Sequence, residues 1–245
     1  MPDYLAQSYI QVYHRFRPRS IPQNASTFRR RNTALFKLKG DHMFIEIPAS
    51  KKSLAMRRLV EGVGRNDADY IVCQKVDGRR VTCPFYKVWH NMLERCYSAK
   101  YQVKQPTYTG CSVVKEWLTF SNFRDWMTQE DWEDKQLDKD LIHRGNKVYG
   151  PDACCFIPSQ LNSLLNDCAA QCGPQPQGVT LHKAIGKYQA RISIKGKNKH
   201  LGYYHTVNLA SAAYRAAKAK LILKAADEQD DPLIANGLRL HAKLL

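Results

Sequence analysis

Residues 187–204 read KYQARISIKGKNKHLGYY. In the first half Tyr188, Ala190, Ile192 and Ile194 alternate with Lys187, Gln189, Arg191, Ser193 and Lys195. A period of two sends the two sets to opposite faces of a strand, one apolar and the other polar and basic. Residues 196–198 make a turn and 199–204 a further strand. Upstream, 178–183 is another, joined through a turn at 184–186. Residues 208–226 then form an Ala/Leu/Lys-rich helix, with Leu209, Ala213, Ala216, Ala217 and Leu221 as the stripe expected to receive the apolar face of the sheet. The reading is a three-stranded antiparallel sheet packed on one helix, its other face open and basic.

Working backward, residues 173–177 (GPQPQ) are a linker by composition. Before them, 136–142 reads as a strand, 143–147 (HRGNK) as a loop and 153–157 as a second strand. Ser159 is expected to cap a helix carrying Leu161, Leu164, Leu165 and Cys168. Further upstream, Phe85, Val88, Trp89, Met92, Leu93 and Cys96 recur at helical spacing, and Trp117, Phe120, Phe123 and Trp126 crowd a second segment. Such aromatics either fill a core or stack on bases; at this spacing core is the expected reading. Residues 1–60 read as a loosely structured basic extension with the cluster Arg29, Arg30 and Arg31. Strands are expected at 34–39 and 42–47, and a short helix at 51–60 with Leu54, Leu59 and Val60 partly buried. The fold class is α+β.

Charge narrows the function. The 245 residues carry 38 Lys and Arg against 22 Asp and Glu, a net charge of +16. A polyanion is the implied partner, nucleic acid before a membrane surface. The distribution is uneven: residues 1–60 hold 12 basic and 3 acidic side chains, 111–170 hold 6 and 10, and 171–245 hold 12 and 4. Basic flanks suit phosphates, and an acidic centre suits a hard divalent cation, although 129–140 (QEDWEDKQLDKD) also reads as a solvated loop. No run approaches eighteen apolar residues, and the N-terminus lacks a secretory pattern, so no membrane partner and a reducing compartment are expected. The eight cysteines show no pair of C-x2-C motifs, Cys168-x3-Cys172 being the nearest approach. Buried free thiols are the expectation, and structural zinc from distant cysteines is not indicated by spacing.

Two resemblances join these readings. Gly178-Val179, Tyr188-x-Ala190-x-Ile192, Leu201-Gly202-Tyr203 and Ala210-x-x-x-Tyr214 resemble the Apetala-type (ethylene-response-factor) DNA-binding domain. That resemblance implies DNA contacts from Gln189, Arg191, Ser193, Lys195, Asn198 and His200, with His182 and Lys183 from the first strand. His200 stands where the plant family often has tryptophan. The segment Asp138-Lys139-Asp140, the loop with Gly145-Asn146-Lys147, then Pro151-Asp152 and the helix with Asn162 are similar to the ββα-metal core of HNH nucleases. The resemblance implies Asp138 and Asn162 as metal ligands and Asn146 as the residue that positions the loop. HNH enzymes have His directly after Asp, whereas this chain has Lys139, which stands among the catalytic candidates at that position; His143 is the candidate to replace the base and Asp140 to orient the water.

Taken together, the chain from about residue 62 onward resembles phage HNH/homing-endonuclease-like proteins with a C-terminal Apetala-type domain. The implied organisation is a basic extension (1–60), an HNH-like nuclease domain with flanking helices (61–172), a linker (173–177), a DNA-binding domain (178–226) and a tail or helix (227–245). The implied activity is sequence-directed DNA cleavage with Mg2+ or Mn2+ by a monomer, on double-stranded DNA in the cytoplasm of an infected bacterial host. The alternative is a non-catalytic repressor or architectural DNA-binding factor on a degenerate HNH scaffold. A zinc-stabilised RNA-binding protein is disfavoured because the strand face lacks paired exposed aromatics.

Overall fold

Sequence periodicities become a mixed α+β architecture built around two apolar clusters, with a small third one under the C-terminal sheet. The computed structural model describes residues 35–37, 43–166, 174–194 and 196–245, all within one compact unit, Leu35–Leu245. Arg29, Arg30, Arg31, Cys168, Cys172 and Lys195 lie outside the described residues.

The first elements are the hairpin of β1 (Leu35–Lys37) and β2 (Met43–Ile45), followed by α1 (Lys51–Ala55). The helix is shorter than expected, and Leu54 and Leu59 are exposed rather than partly buried. A second hairpin, β3 (Cys73–Val76) with β4 (Arg79–Thr82), leads into α2 (Pro84–Tyr97), which begins on a proline whose missing N–H costs nothing there. Its Phe85, Trp89, Met92, Leu93 and Cys96 are buried. After α3 (Ala99–Lys104), two 3-10 turns and the two-residue β5 (Ser112–Val113) comes α4 (Phe120–Met127).

The crowded aromatics are core. Trp117 and Trp126 lie 4.4 Å apart between ring centroids, Trp117 meets Phe123 edge-on at 5.0 Å, and Trp89 meets Phe120 at 5.4 Å. Trp89 Nε1 donates to the main-chain oxygen of Trp117 at 2.7 Å, which satisfies the polar atom its burial would otherwise orphan. Gly64 runs so close beneath α2 that a Cβ there would sit 2.2 Å from Leu93 Cδ1.

β6 (Lys135–Asp138) pairs antiparallel with β8 (Cys155–Pro158), and α5 (Ser159–Leu165) follows directly. β6 ends four residues earlier than the sequence suggested. Asp138 Oδ1 accepts from the main-chain N–H of Asp140 at 3.0 Å and of Leu141 at 2.7 Å, and this local bonding turns the chain away from the ladder. Ser159 is the first helical residue, not the cap; Pro158 holds the cap position without a side-chain bond. β7 (Val148–Tyr149) pairs in parallel with β5. Cys154, just before β8, belongs to the first apolar cluster and Cys155, the first residue of β8, to the second.

The C-terminal sheet has the order β11-β10-β9, with β9 (Val179–His182), β10 (Lys187–Ile194) and β11 (Lys197–Tyr204) all antiparallel. It packs on α6 (Val207–Asp227), whose N-terminus is capped by Thr206. The receiving stripe keeps Ala213 of the expected set but not Leu209, which is 55% exposed, while Ala210 is fully buried against Val179 and Ala190. The other half of α6 turns elsewhere. Ile222 and Ala226 pack with Leu141, Cys155, Ile157 and Leu161 and with Ile234, Leu238 and Ala242 of α7 (Pro232–Lys243). One long helix therefore joins the sheet to the ββα unit, and α7 closes that unit. Among the described residues no helix is long and apolar enough to cross a membrane.

Candidate functional site

The turn after β6, the helix α5 and the last turn of α7 enclose a cleft of about 260 Å3, lined by Asp138, Asp140, Arg144, Gly145, Asn162, Leu165, Asn166 and His241. Three of the residues singled out from sequence, Asp138, Asp140 and Asn162, thus share one cavity. Burial, and then the neighbouring Asp140 carboxylate, push the Asp138 carboxyl above the usual carboxylate range. Asn162 donates through Nδ2 to Gln136 Oε1 at 2.7 Å, a bond that fixes the amide across from β6.

Lys139 is placed otherwise. It is buried, and its Nζ donates to Asp140 Oδ2 at 3.0 Å and to the main-chain oxygen of Asn146 at 2.8 Å. It does not line the cleft. Asn146 returns a 2.7 Å bond from Nδ2 to Lys139 O, gives a second to Val148 O at 2.6 Å and accepts from Val148 N at 3.1 Å. Asn146 is therefore a staple of the 139–148 loop. His143 is exposed on that loop and is not part of the cleft wall. The imidazole that does line the cavity is His241, from the far end of the chain. In the sequence, residues 227–245 read only as a tail or helix, and nothing local said what such a helix would meet.

A divalent cation fits this donor set in one way. Among the described residues no three His, Cys, Asp or Glu side chains converge to enclose an ion. Two carboxylates with nearby amide oxygens are hard donors, suited to Mg2+ or Mn2+ that keep several waters and complete their shell on a phosphate. The raised proton affinity of Asp138 comes first from burial and then from the Asp140 carboxylate, against the opposing pull of two main-chain N–H groups and the Lys139 ammonium. The described cysteines are free thiols, and five of the six are buried.

The second candidate surface is the open face of the sheet. Direct pairing places Lys187 opposite His182, Gln189 opposite Thr180 and Tyr203, Arg191 opposite His200, and Ser193 opposite Asn198. The register shifts between Ala190 and Arg191, so that His200 and Tyr203 share a face although they are three apart. Tyr203 is 43% exposed. It lies 4.7 Å from the His200 ring and 5.5 Å from the His182 ring, and its hydroxyl takes a 3.4 Å contact from Gln189 Nε2. The face therefore carries an aromatic cluster that strict alternation from His200 did not disclose. Arg191, Ser193, Asn198 and Lys183 are exposed there or at its edge. From 178 to 226 the chain holds ten Lys and Arg residues and no Asp or Glu.

No protein-family model, no curated protein and no solved structure matches this chain.

Proposed function

We propose that the protein is a sequence-directed DNA endonuclease of the homing type, with an HNH-like ββα unit that cuts and an Apetala-like sheet that selects the site. The observation that carries this reading is the meeting of Asp138, Asp140 and Asn162 in one cleft on a strand–loop–strand–helix unit. Asp138 and Asn162 would hold Mg2+ or Mn2+, which when bound supplies positive charge to the phosphate and the departing 3′ oxygen. Asn146 keeps the 139–148 loop closed, and Lys139 pairs with Asp140. Gln189, Arg191, Ser193, Asn198 and His200 would meet base edges and phosphates of double-stranded DNA, which a sheet of this width reads in the major groove. The setting that goes with this activity is a phage-infected bacterial cytoplasm, with the protein acting as a monomer.

The bonding of Lys139 favours one second reading, a non-catalytic repressor or architectural factor. An ammonium committed to Asp140 and Asn146 does not replace the histidine base that HNH enzymes carry at this position.

The test is incubation of the purified protein with genomic DNA of its phage, with Mg2+, with Mn2+ and with EDTA, followed by mapping of ends. Discrete metal-dependent ends that vanish in Asp138→Ala, with DNA affinity retained, are expected. Intact DNA under conditions where a gel shift shows specific binding would leave the second reading.

A further inference from the structure

We infer that His241, carried by the C-terminal helix α7, is the proton acceptor of the acidic cleft and takes the place of the histidine that Lys139 displaces from the first strand. The inference rests on the endonuclease reading above.

Position is the first argument. His241 lines the same 260 Å3 cleft as Asp138, Asp140 and Asn162. Rigidity is the second. Leu238 is fully buried and Ala242 nearly so, in one cluster with Leu141 and Ile157. Gly237 lies so close to the chain after β6 that a Cβ there would stand 2.8 Å from Leu141 O. The imidazole thus stands between two anchored positions of a helix that touches the main chain two to three residues beyond Asp138 and Lys139. A reacting group needs placement of that kind, held to fractions of an ångström by its scaffold.

Elimination is the third argument. Of the other lining side chains, Arg144 carries a guanidinium, which donates and does not accept, Leu165 is apolar, and Asn162 and Asn166 are amides without basicity. The endonuclease reading gives Asp138 to the cation, and Asp140 Oδ2 accepts from the Lys139 ammonium. Imidazole is the side chain whose ordinary range lies nearest neutrality, where a general base is most effective.

In the step so assigned, a water oxygen bonds to phosphorus while one of its protons passes to an imidazole nitrogen of His241. The P–O3′ bond breaks, and the 3′ oxygen takes a proton from a second water. The hydroxide left behind is neutralised by the proton that His241 then releases. The products are a 5′-phosphate and a 3′-hydroxyl.

The experiment compares the full-length wild type with Asp138→Ala, His241→Ala and His241→Gln on DNA carrying the mapped site, in Mg2+. His241→Ala and His241→Gln are expected to cut at least ~100-fold more slowly, the usual effect of losing a general base. Gel-shift affinity should stay unchanged. Added imidazole should restore part of the rate in His241→Ala but not in His241→Gln, whose amide fills the space. A readout independent of turnover is the His241 imidazole NMR signal, identified by its loss in His241→Gln. It should move when a short duplex with the site is added in Ca2+. If the wild type cuts, Asp138→Ala does not, and folded His241→Gln cuts within about threefold of wild type, the inference falls and the endonuclease reading stands. If the wild type does not cut at all, both fall.

Discussion

Lys139 and Asn146 bond to each other twice: the Lys139 ammonium donates to Asn146 O at 2.8 Å, and the Asn146 amide donates to Lys139 O at 2.7 Å. This reciprocal pair closes the loop between β6 and β7 and explains why a long cation is buried beside an acidic cleft. The lysine reads as a departure from the HNH pattern in sequence, yet in the fold it ties the loop and balances Asp140.

The pair can be taken apart by substitution. Asn146→Ala removes three hydrogen bonds and should destabilise the protein by about 2–3 kcal/mol. Lys139→Met keeps the stem but leaves Asn146 O without its donor, for about 1–3 kcal/mol. Urea unfolding of the two variants measures both. A loss under 0.5 kcal/mol, on the order of experimental error, would show that the loop does not depend on the staple.

Gly237→Ala tests how closely α7 is seated. In an unconstrained helix the change would stabilise by about 1 kcal/mol. Here the new methyl meets Leu141 O at 2.8 Å, so the contact should win and the net effect should be a loss of about 1–3 kcal/mol. The same shift would displace His241 from the cleft, so any cleavage activity should fall with it. A melting temperature above wild type would contradict the close approach.

On the sheet, Arg191 and Lys187 should behave differently if the open face reads DNA. Arg191→Ala should weaken specific binding by about 1–3 kcal/mol and relax preference at one base position. Lys187→Ala should weaken all sequences alike and reduce the slope of log affinity against log salt by about 1. Fluorescence anisotropy over a salt series separates the two. Equal effects of Arg191→Ala on specific and random DNA would argue against base reading by this strand.

The buried thiols predict an alkaline limit. Burial pushes Cys96 and Cys154 up to about 12, from an ordinary 9.0, and raises Cys83 and Cys155 as well. A folded state that holds these protons more tightly than the unfolded chain has its full stabilisation below pH 9 and loses it as pH rises toward 12. Tyr70 and Tyr149, raised by burial, add to the same fall. Thermal melts under reducing conditions should be flat from about pH 7.5 to 8.5 and decline steadily above about 9. Alkylation at about pH 8 should spare the Cys96 and Cys154 peptides until the protein unfolds; labelling at the rate of an unfolded control would refute this.

Periodicity made much of the fold legible because it is a local property. The alternation over 187–194 and the helical spacing in α2 and α4 appear in the structure with small changes of boundary. Where local bonding competes with a pattern, the reading slipped: Asp138 ends β6 early by capping the turn that follows, and Ser159 enters α5 instead of capping it. Tyr203 was hidden by a bulge. One extra residue in β11 reverses the parity of every side chain beyond it, and Gly202, with φ 142°, is the sequence signal at that place.

The amino-acid sequence by itself determined the C-terminal strands, the helices α2, α4 and α6, the apolar face of β10, and that acidic residues fall between basic flanks, since spacing and composition suffice for these. Tertiary structure alone decided that Lys139 points inward to Asn146 while His241, near the end of the chain, lines the same cleft as Asp138. The second depends on how α6 and α7 settle on β8 through Ile157, Ile222 and Leu238. Hydrophobic burial is non-directional, so an apolar stripe specifies that a helix will be covered, and the packing of the whole molecule specifies by what.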